Sequence, residues 1–337
     1  MKSNVFVAIR GARVGLTLAA LSITLLWASP AKAGTACGVI ISQPGVYALG
    51  TNVGPCASGV DGIDIEASNV TLLLNGHTIS GATSVSGNCN ASIGIHVLGT
   101  SSVPLSGVNV VGPGTISNFW VGFGAYYSAG SSVSLTTVKA PQCPGTYTLT
   151  LDGSTFTEST SFGFIIDVTS NHWTLLRNVV REPGVSSEGI YVLGPVEGFP
   201  PFGPASGSYN NVIENNVNDT IGFEGSTNNN IIGNIANDNY GGIELVVASN
   251  NNNVLANTTN GNAAGDGILV SDYDTGLYST GNNIIGNTSL GNSPWDMEDD
   301  EAGGGCASNI WEGNHFKTAN QACIIAPSLE DDSHLLQ

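Results

Sequence analysis

Basic residues are the scarcest feature of this chain. Its 337 residues carry 8 Lys and Arg against 26 Asp and Glu, and charged residues make up only 10%. Four of the basic residues (Lys2, Arg10, Arg13, Lys32) lie in the first 33 positions, which hold no acid. From Gly34 onward Lys139, Arg177, Arg181 and Lys317 stand against all 26 acids, a formal charge of −22. Such a surface repels nucleic acid and anionic membrane, and it grips an acidic polysaccharide poorly. Most of the acids need no further role than keeping a flat β surface soluble and its ends unpaired. Methionine is nearly missing as well, with Met297 alone after the first 33 residues. No Cys-x-x-Cys occurs, which argues against thiol redox chemistry. Amphipathic helical periodicity is not evident. No second apolar run of about 20 residues follows the first one, so no membrane anchor is expected.

The first apolar run belongs to a targeting segment. Lys2, Arg10 and Arg13 supply a positive end, and Val14 to Trp27 is too short to span a bilayer. Ala31-Lys32-Ala33 is a small-x-small cleavage site. Residues 1–33 therefore read as a signal peptide, and the product as secreted or periplasmic. In an exported chain the six cysteines read as three disulfides, for which fifteen pairings exist. Closeness in sequence suggests Cys37–Cys56 and Cys306–Cys323, which leaves Cys89–Cys143.

One short phrase recurs between residues 210 and 316. Asn211-Val-Ile-Glu-Asn215 is followed by Asn230-Ile-Ile-Gly-Asn234, Asn253-Val-Leu-Ala-Asn257, Asn283-Ile-Ile-Gly-Asn287 and the looser Asn309-Ile-Trp-Glu-Gly-Asn314. The starts lie 19, 23, 30 and 26 residues apart. Such a period marks a solenoid, in which each repeat buries its apolar side only against its neighbours. The apolar pieces are too short for helices and are β-branched, so each repeat reads as one coil of a parallel β-helix. Asn suits the corners because it tolerates left-handed backbone, and stacked Asn side chains can bond from coil to coil.

A second phrase sets a Gly before alternating apolar residues. Its outward position reads Asp64, His96, Ile165, Tyr191, Glu224, Glu244, Leu269, Asp296 by the two-residue strand period. These repeats organise the chain as an N-terminal cap (34–60), a β-helix (61–316) of roughly a dozen coils, and a C-terminal cap with an acidic tail (317–337). The two local disulfides would then sit at the ends, where a solenoid lacks a neighbour. Residues 124–148 find no secure place in this scheme.

The cap and first coil (Cys37-Gly38, Pro44-Gly-Val-Tyr47, Cys56, Asn69-Val-Thr-Leu-Leu-Leu-Asn-Gly-His77), the Asn phrases and Cys306-Ala-Ser-Asn-Ile-Trp311 together resemble bacterial secreted right-handed parallel β-helix repeat proteins. These have the pectin-lyase-like fold and NosD-like repeats. The resemblance implies an all-β, right-handed parallel β-helix with disulfide-bonded end caps. It does not imply one activity, because the fold group includes lyases, hydrolases, epimerases, adhesins and coat fibres. Copper, which NosD raises, needs Met, Cys or clustered His, and the five histidines form no i, i+2 or i, i+4 pair. Arg177 and Arg181 are the only arginines available to a lyase. The Asp-Pro-His-Glu motif of alginate epimerases and the paired Asp of polygalacturonases are absent.

Carboxylates remain. Aligned by their Gly phrases, Glu224 and Glu244 sit one above the other, about 5 Å apart, the separation of a retaining glycosidase pair. The plain alternative is two solvated acids. His96 beside Asp64 is a lesser candidate. Long excursions carrying Phe199 and Phe202 on one side, and Tyr273 and Tyr278 on the other, would wall a groove over this floor, with Tyr191 beside it. No cofactor is implied; Ca²⁺ is the one candidate, at Asp272-Tyr-Asp274 or at Asp296 to Glu301, although neither has EF-hand spacing. The expectation is a monomer that binds or processes an extracellular or cell-envelope polysaccharide. The rival is a non-catalytic structural or adhesive surface protein.

Overall fold

The computed structural model describes residues 31–32, 36–82, 92–100, 102–126, 128–139, 146–149, 151–152, 155–157, 160–162, 165–168, 172, 174–181, 189–193, 208–273, 275–300, 306 and 308–324. Most of residues 1–33, residues 325–337, Cys89, Cys143, Phe199 and Phe202 lie outside them. Among the described residues there is no helix, and every strand pairing is parallel.

The chain winds as a coil with three faces. The first face carries the Gly phrase. Its strands Val39–Ile41, Ile63–Ile65, Ile93–Leu98 and Val121–Tyr126 form one sheet. The face continues with Thr146–Leu149, Ile165–Val168, Ile190–Leu193, Ile221–Glu224, Ile243–Val246, Ile268–Ser271 and Met297–Asp300. The second face carries the Asn phrase, for example Asn230–Ile232 beneath Asn253–Leu255. A third face was not legible as a repeat. It begins with Val53–Cys56 and Thr78–Gly81, runs on through strands such as Val179–Arg181 and Asn216–Asn218, and shrinks to single bridges at Ile235, Thr258, Thr288 and His315. The described residues between 124 and 139 fall into place as ordinary coil: Val121–Tyr126 pairs with Ile93–Leu98, and Ser132–Lys139 with Asn109–Ser117.

The core is a set of stacked columns, one from each face. In the coil of Glu224 these are Val212, Val217 and the pair Ile221 and Phe223, all buried. The next coil repeats them with Ile231, Ala236, Ile243 and Leu245. The third-face column then turns small and polar, Thr259 and Ser289, both fully buried. The reason is close approach: a Cβ on Gly267 would meet Ser289 Oγ at 1.9 Å.

Asparagine closes the corners mainly through the expected coil-to-coil bonding of stacked side chains. The left-handed residue is the one before the ladder Asn in most coils: Glu214, Gly233, Ala256, Gly286 and Gly313 at one corner, Tyr209, Asn228, Asn251 and Gly281 at the other. The ladder Asn itself is kept for its amide. Asn178, Asn215, Asn234, Asn257, Asn287 and Asn314 form one buried column. Asn210, Asn229, Asn252, Asn282 and Asn309 form the other. Taking Asn257, its Oδ1 accepts Asn234 N at 2.8 Å and Asn234 Nδ2 at 3.0 Å. Its Nδ2 donates to Ile231 O at 2.8 Å and Asn287 Oδ1 at 3.0 Å. Every donor and acceptor of the amide is used, which a buried polar group requires. The ladder also corrects the repeat register. Asn309 stacks on Asn282, not Asn283, so the last spacing is 27 residues.

Cys37–Cys56 and Cys306–Cys323 are bonded, near the two ends as expected. The expected Cys89–Cys143 bridge lies outside the described residues. The proposed N-terminal cap already carries strands in register with the first coil, Val39–Ile41 on Ile63–Ile65 and Gly45–Ala48 on Val70–Leu73.

Candidate functional site

The in-register row on the outside of the first face reads Asp64, His96, Gly124, then Tyr191, Gly222, Glu244, Leu269, Glu298. This revises the expected row at three described positions. Ile221, not Phe223, pairs with Ile243, so Gly222 stands where Glu224 was placed. Met297 pairs with Ile268, so Glu298 replaces Asp296. Glycine misled the alignment because it occurs both before the strand, at Gly242, and within it, at Gly222. Ile165 also shifts: it pairs with Ile190, which leaves Ile166 opposite Tyr191.

Glu224 consequently does not stack on Glu244. It is opposite Val246, two residues further along the same outward face. One coil step and a two-residue rise separate the two backbones diagonally by about 8 Å. Both carboxylates are half-buried and each is held by a tyrosine. Tyr191 donates its hydroxyl to Glu224 Oε2. Its ring crosses above Gly222, where a Cβ would come within 2.6 Å of Tyr191 Cδ2. Tyr273 follows the strand Ile268–Ser271, reaches back one coil and donates to Glu244 Oε2 at 3.1 Å. Burial, and then the charge of Glu244, push the Tyr273 hydroxyl well above its ordinary range; Glu224 adds to the effect. Tyr278 stands exposed five residues on. Phe199 and Phe202 lie outside the described residues, so one of the two expected walls is not described. Leu269 and Val246 point outward yet are buried, and with Val247 they make a small apolar cluster outside the main core.

Three acids outside the expected outward row, Asp266, Glu298 and Asp300, complete the stripe. Asp266 and Glu298, from successive coils, share a hydrogen bond. Burial, then Asp266 and Asp300, push Glu298 up to about 8, against the opposing amide of Asn320 at 3.2 Å. The signal lay in the outward position, which correct strand register would have assigned to Glu298.

Described acids of the two runs weighed for Ca²⁺ accept hydrogen bonds from the surrounding fold. Burial alone would raise Asp296, but N–H donors from Asn292, Lys317 and Thr318 hold it below the usual carboxylate range. Asp299 Oδ2 accepts from Asn309 Nδ2 and Trp311 Nε1, and Asp272 Oδ2 from Gly276 N. Asp274 and Glu301 lie outside the described residues, and among those described neither run gathers three ligand groups. Arg177 sits at a second-face corner in an exposed ion pair with Glu214, 3.7 Å, of little energetic consequence. It offers no base to the acidic stripe.

At the N-terminal end of the same face, Asp64 and His96 are in register, as the sequence suggested. Asp61 joins them: His96 Nδ1 lies 2.8 Å from Asp61 Oδ2 and 3.7 Å from Asp64 Oδ1. Burial and then the Asp61 charge push Asp64 up to about 6. Asp61 itself is desolvated, but His96 and the Ile93 N–H outweigh this and hold it low. Its sequence signal was Asp61-Gly-Ile-Asp64, two acids at the entry to one strand.

The same three-faced coil occurs in solved proteins. The Dettilon tailspike protein superposes with a TM-score of 0.67 at 13% identity, over 86% of this chain and 60% of its own. The A-module of the Azotobacter vinelandii mannuronan C-5 epimerase AlgE6 does so with a TM-score of 0.56 at 12% identity, over 84% of this chain and 78% of its own. The chain is a right-handed parallel β-helix. At these identities the likeness is one of fold. The β-helix spans less than two thirds of the tailspike chain. No protein-family model and no curated protein matches this β-helix in sequence. Among the described residues no helix is long and apolar enough to cross a membrane.

Proposed function

We propose that the first face of this β-helix, from Tyr191 to Glu298, binds an extended polysaccharide and cleaves it by acid–base chemistry at Glu224 and Glu244. The observation that carries the reading is the pair of tyrosine–carboxylate contacts on adjacent coils, Tyr191 with Glu224 and Tyr273 with Glu244, on an outward sheet face. Aromatic rings supply flat apolar area for sugar rings, and carboxylates accept from their hydroxyls. Two carboxylates on one outward face can serve as general acid and general base. Tyr278 extends the apolar wall, and Phe199 and Phe202 belong to the opposite one in this reading.

The formal charge of −22 after residue 33 favours an uncharged polysaccharide over a polyanion. That one fold neighbour is named for mannuronan supports a polysaccharide in kind. The same reading makes the protein an exported monomer, with disulfides that an oxidising compartment would preserve. The test is a screen of neutral and acidic polysaccharides for binding and for released reducing ends. A neutral glycan should bind the wild type. Replacing both glutamates by Gln should abolish cleavage, leaving the far-ultraviolet spectrum unchanged. Binding confined to polyanions, or cleavage that survives the double replacement, would overturn the reading. Glycan binding without cleavage in the wild type would favour the adhesive alternative.

A further inference from the structure

We propose that Asp61, Asp64 and His96 form a binding site for a divalent transition ion of the Zn²⁺ class, on the same face as the glycan site but in its N-terminal coils, and independent of its function. The three side chains come from two successive coils, and one ligand atom from each lies within 4.8 Å of the others. The arrangement is built in. Asp64 and His96 are register neighbours, and Asp61 is pinned by the Ile93 N–H at 2.7 Å. The side chains are between 15% and 22% exposed, so the charges are largely withdrawn from water.

Protons account for only part of this cluster, in which Asp61 and Asp64 share a side-chain hydrogen bond. His96 Nδ1 faces both acids, and one N–H serves Asp61 Oδ2, at 2.8 Å. Asp64 Oδ1 is buried without a hydrogen-bond partner. A buried carboxylate oxygen left in that state is costly. No lysine or arginine lies between residues 33 and 138, so no basic side chain of the coils around the cluster can balance its two acids. A cation at the point where the three atoms converge would take the place of the imidazole proton and meet all three at once.

The donor set selects the ion. Two carboxylate oxygens and one imidazole nitrogen are too few and too mixed for Ca²⁺, which takes about 6–8 oxygens. They lack the thiolate or thioether that soft copper requires. Zn²⁺ accepts three N and O ligands with water in a fourth position. Gly124, in register with His96 on the next coil, adds no side chain of its own beside the ring. The bound ion would tie the first coil to the second near the N-terminal end.

The test uses the full chain, purified with its disulfides intact and stripped with a chelator. Titration calorimetry with ZnCl₂ should show one saturable site, and the melting temperature should rise with Zn²⁺. His96→Asn and Asp64→Asn should each weaken binding about tenfold or more, as loss of one ligand does, and both variants should keep the parent far-ultraviolet spectrum. Glu298→Gln should leave Zn²⁺ binding unchanged. If Asp64→Asn fails to fold, His96→Asn alone decides. No saturable Zn²⁺ binding, binding untouched by His96→Asn, or Ca²⁺ bound at least as tightly as Zn²⁺ would each overturn the proposal.

Discussion

Replacing Asn257 by Ala should be among the most destabilising single changes on the surface-free part of this β-helix. Asn257 is 1% exposed. The substitution removes four hydrogen bonds: two accepted from Asn234 and two donated, to Ile231 O and Asn287 Oδ1. It leaves the Asn234 N–H buried with nothing to donate to. At about 1 kcal/mol net per bond, with a penalty for the orphaned donor, the expected loss is about 3–5 kcal/mol. Asn253 provides the control. It belongs to the parallel, half-exposed row, bonded to Asn230 at 2.9 Å and Asn283 at 2.8 Å. Water can replace those contacts, so Asn253→Ala should cost about 1 kcal/mol or less. Asn257→Asp is a sharper probe. It keeps the shape but sets an acceptor against Ile231 O and Asn287 Oδ1, and it should be worse at pH 7 than in acid, where the carboxyl regains one donor. Urea unfolding followed by circular dichroism measures the difference. Amide exchange, read coil by coil, checks that the loss spreads to both neighbours, since a solenoid need not unfold in one step. Equal shifts for Asn257→Ala and Asn253→Ala would refute the ladder as a source of stability.

Other outcomes follow from the same contacts. Gly222→Ala should push the Tyr191 ring aside and release Glu224; glycan affinity should fall about tenfold, the value of one hydrogen bond to a charged group, with little change in melting temperature. Tyr191→Phe should reproduce it, and unchanged affinity in both would remove Tyr191 from the site. Glu298, held near 8 in the fold against an ordinary 4.5, keeps a proton that the unfolded chain releases. Its stabilisation is therefore complete below its ordinary value and lost as pH rises through about 8; wild type minus Glu298→Gln melting temperatures, taken across that window, should decline with rising pH. Converting Cys306 and Cys323 to Ser opens a loop of sequence separation 17 and should cost about 2–4 kcal/mol, with amide protection lost first at the C-terminal end. Non-reducing peptide mapping tests the expected Cys89–Cys143 bridge directly.

The fold was legible because a solenoid writes its contacts into the chain at a constant period. Val212, Ile231, Val254 and Ile284 stack one upon another, and each was visible in its Asn phrase. The two bonded disulfides were legible for a related reason, since each joins cysteines fewer than 20 residues apart. The third face was not legible, because on it the pairing dwindles to one residue per coil and leaves no apolar run to read.

The candidate site was half legible. The residue types and the face could be read, since outward carboxylates and tyrosines break an otherwise apolar alternation. Which of them meet could not, because a shift of one or two residues at Gly222 changes the partner of every outward side chain. Register is decided by which side chain fills the core: Ile221 and Phe223 inside put Gly222 opposite Glu244 and leave room for Tyr191 to reach Glu224. The sequence by itself determined the coil, its asparagine corners and the sign of its charge, because these repeat locally. Only the tertiary structure decided that Tyr273 returns to Glu244, that Asp266 meets Glu298, and that Asp61 joins Asp64 and His96, because each contact crosses between coils over 29 to 35 residues of chain.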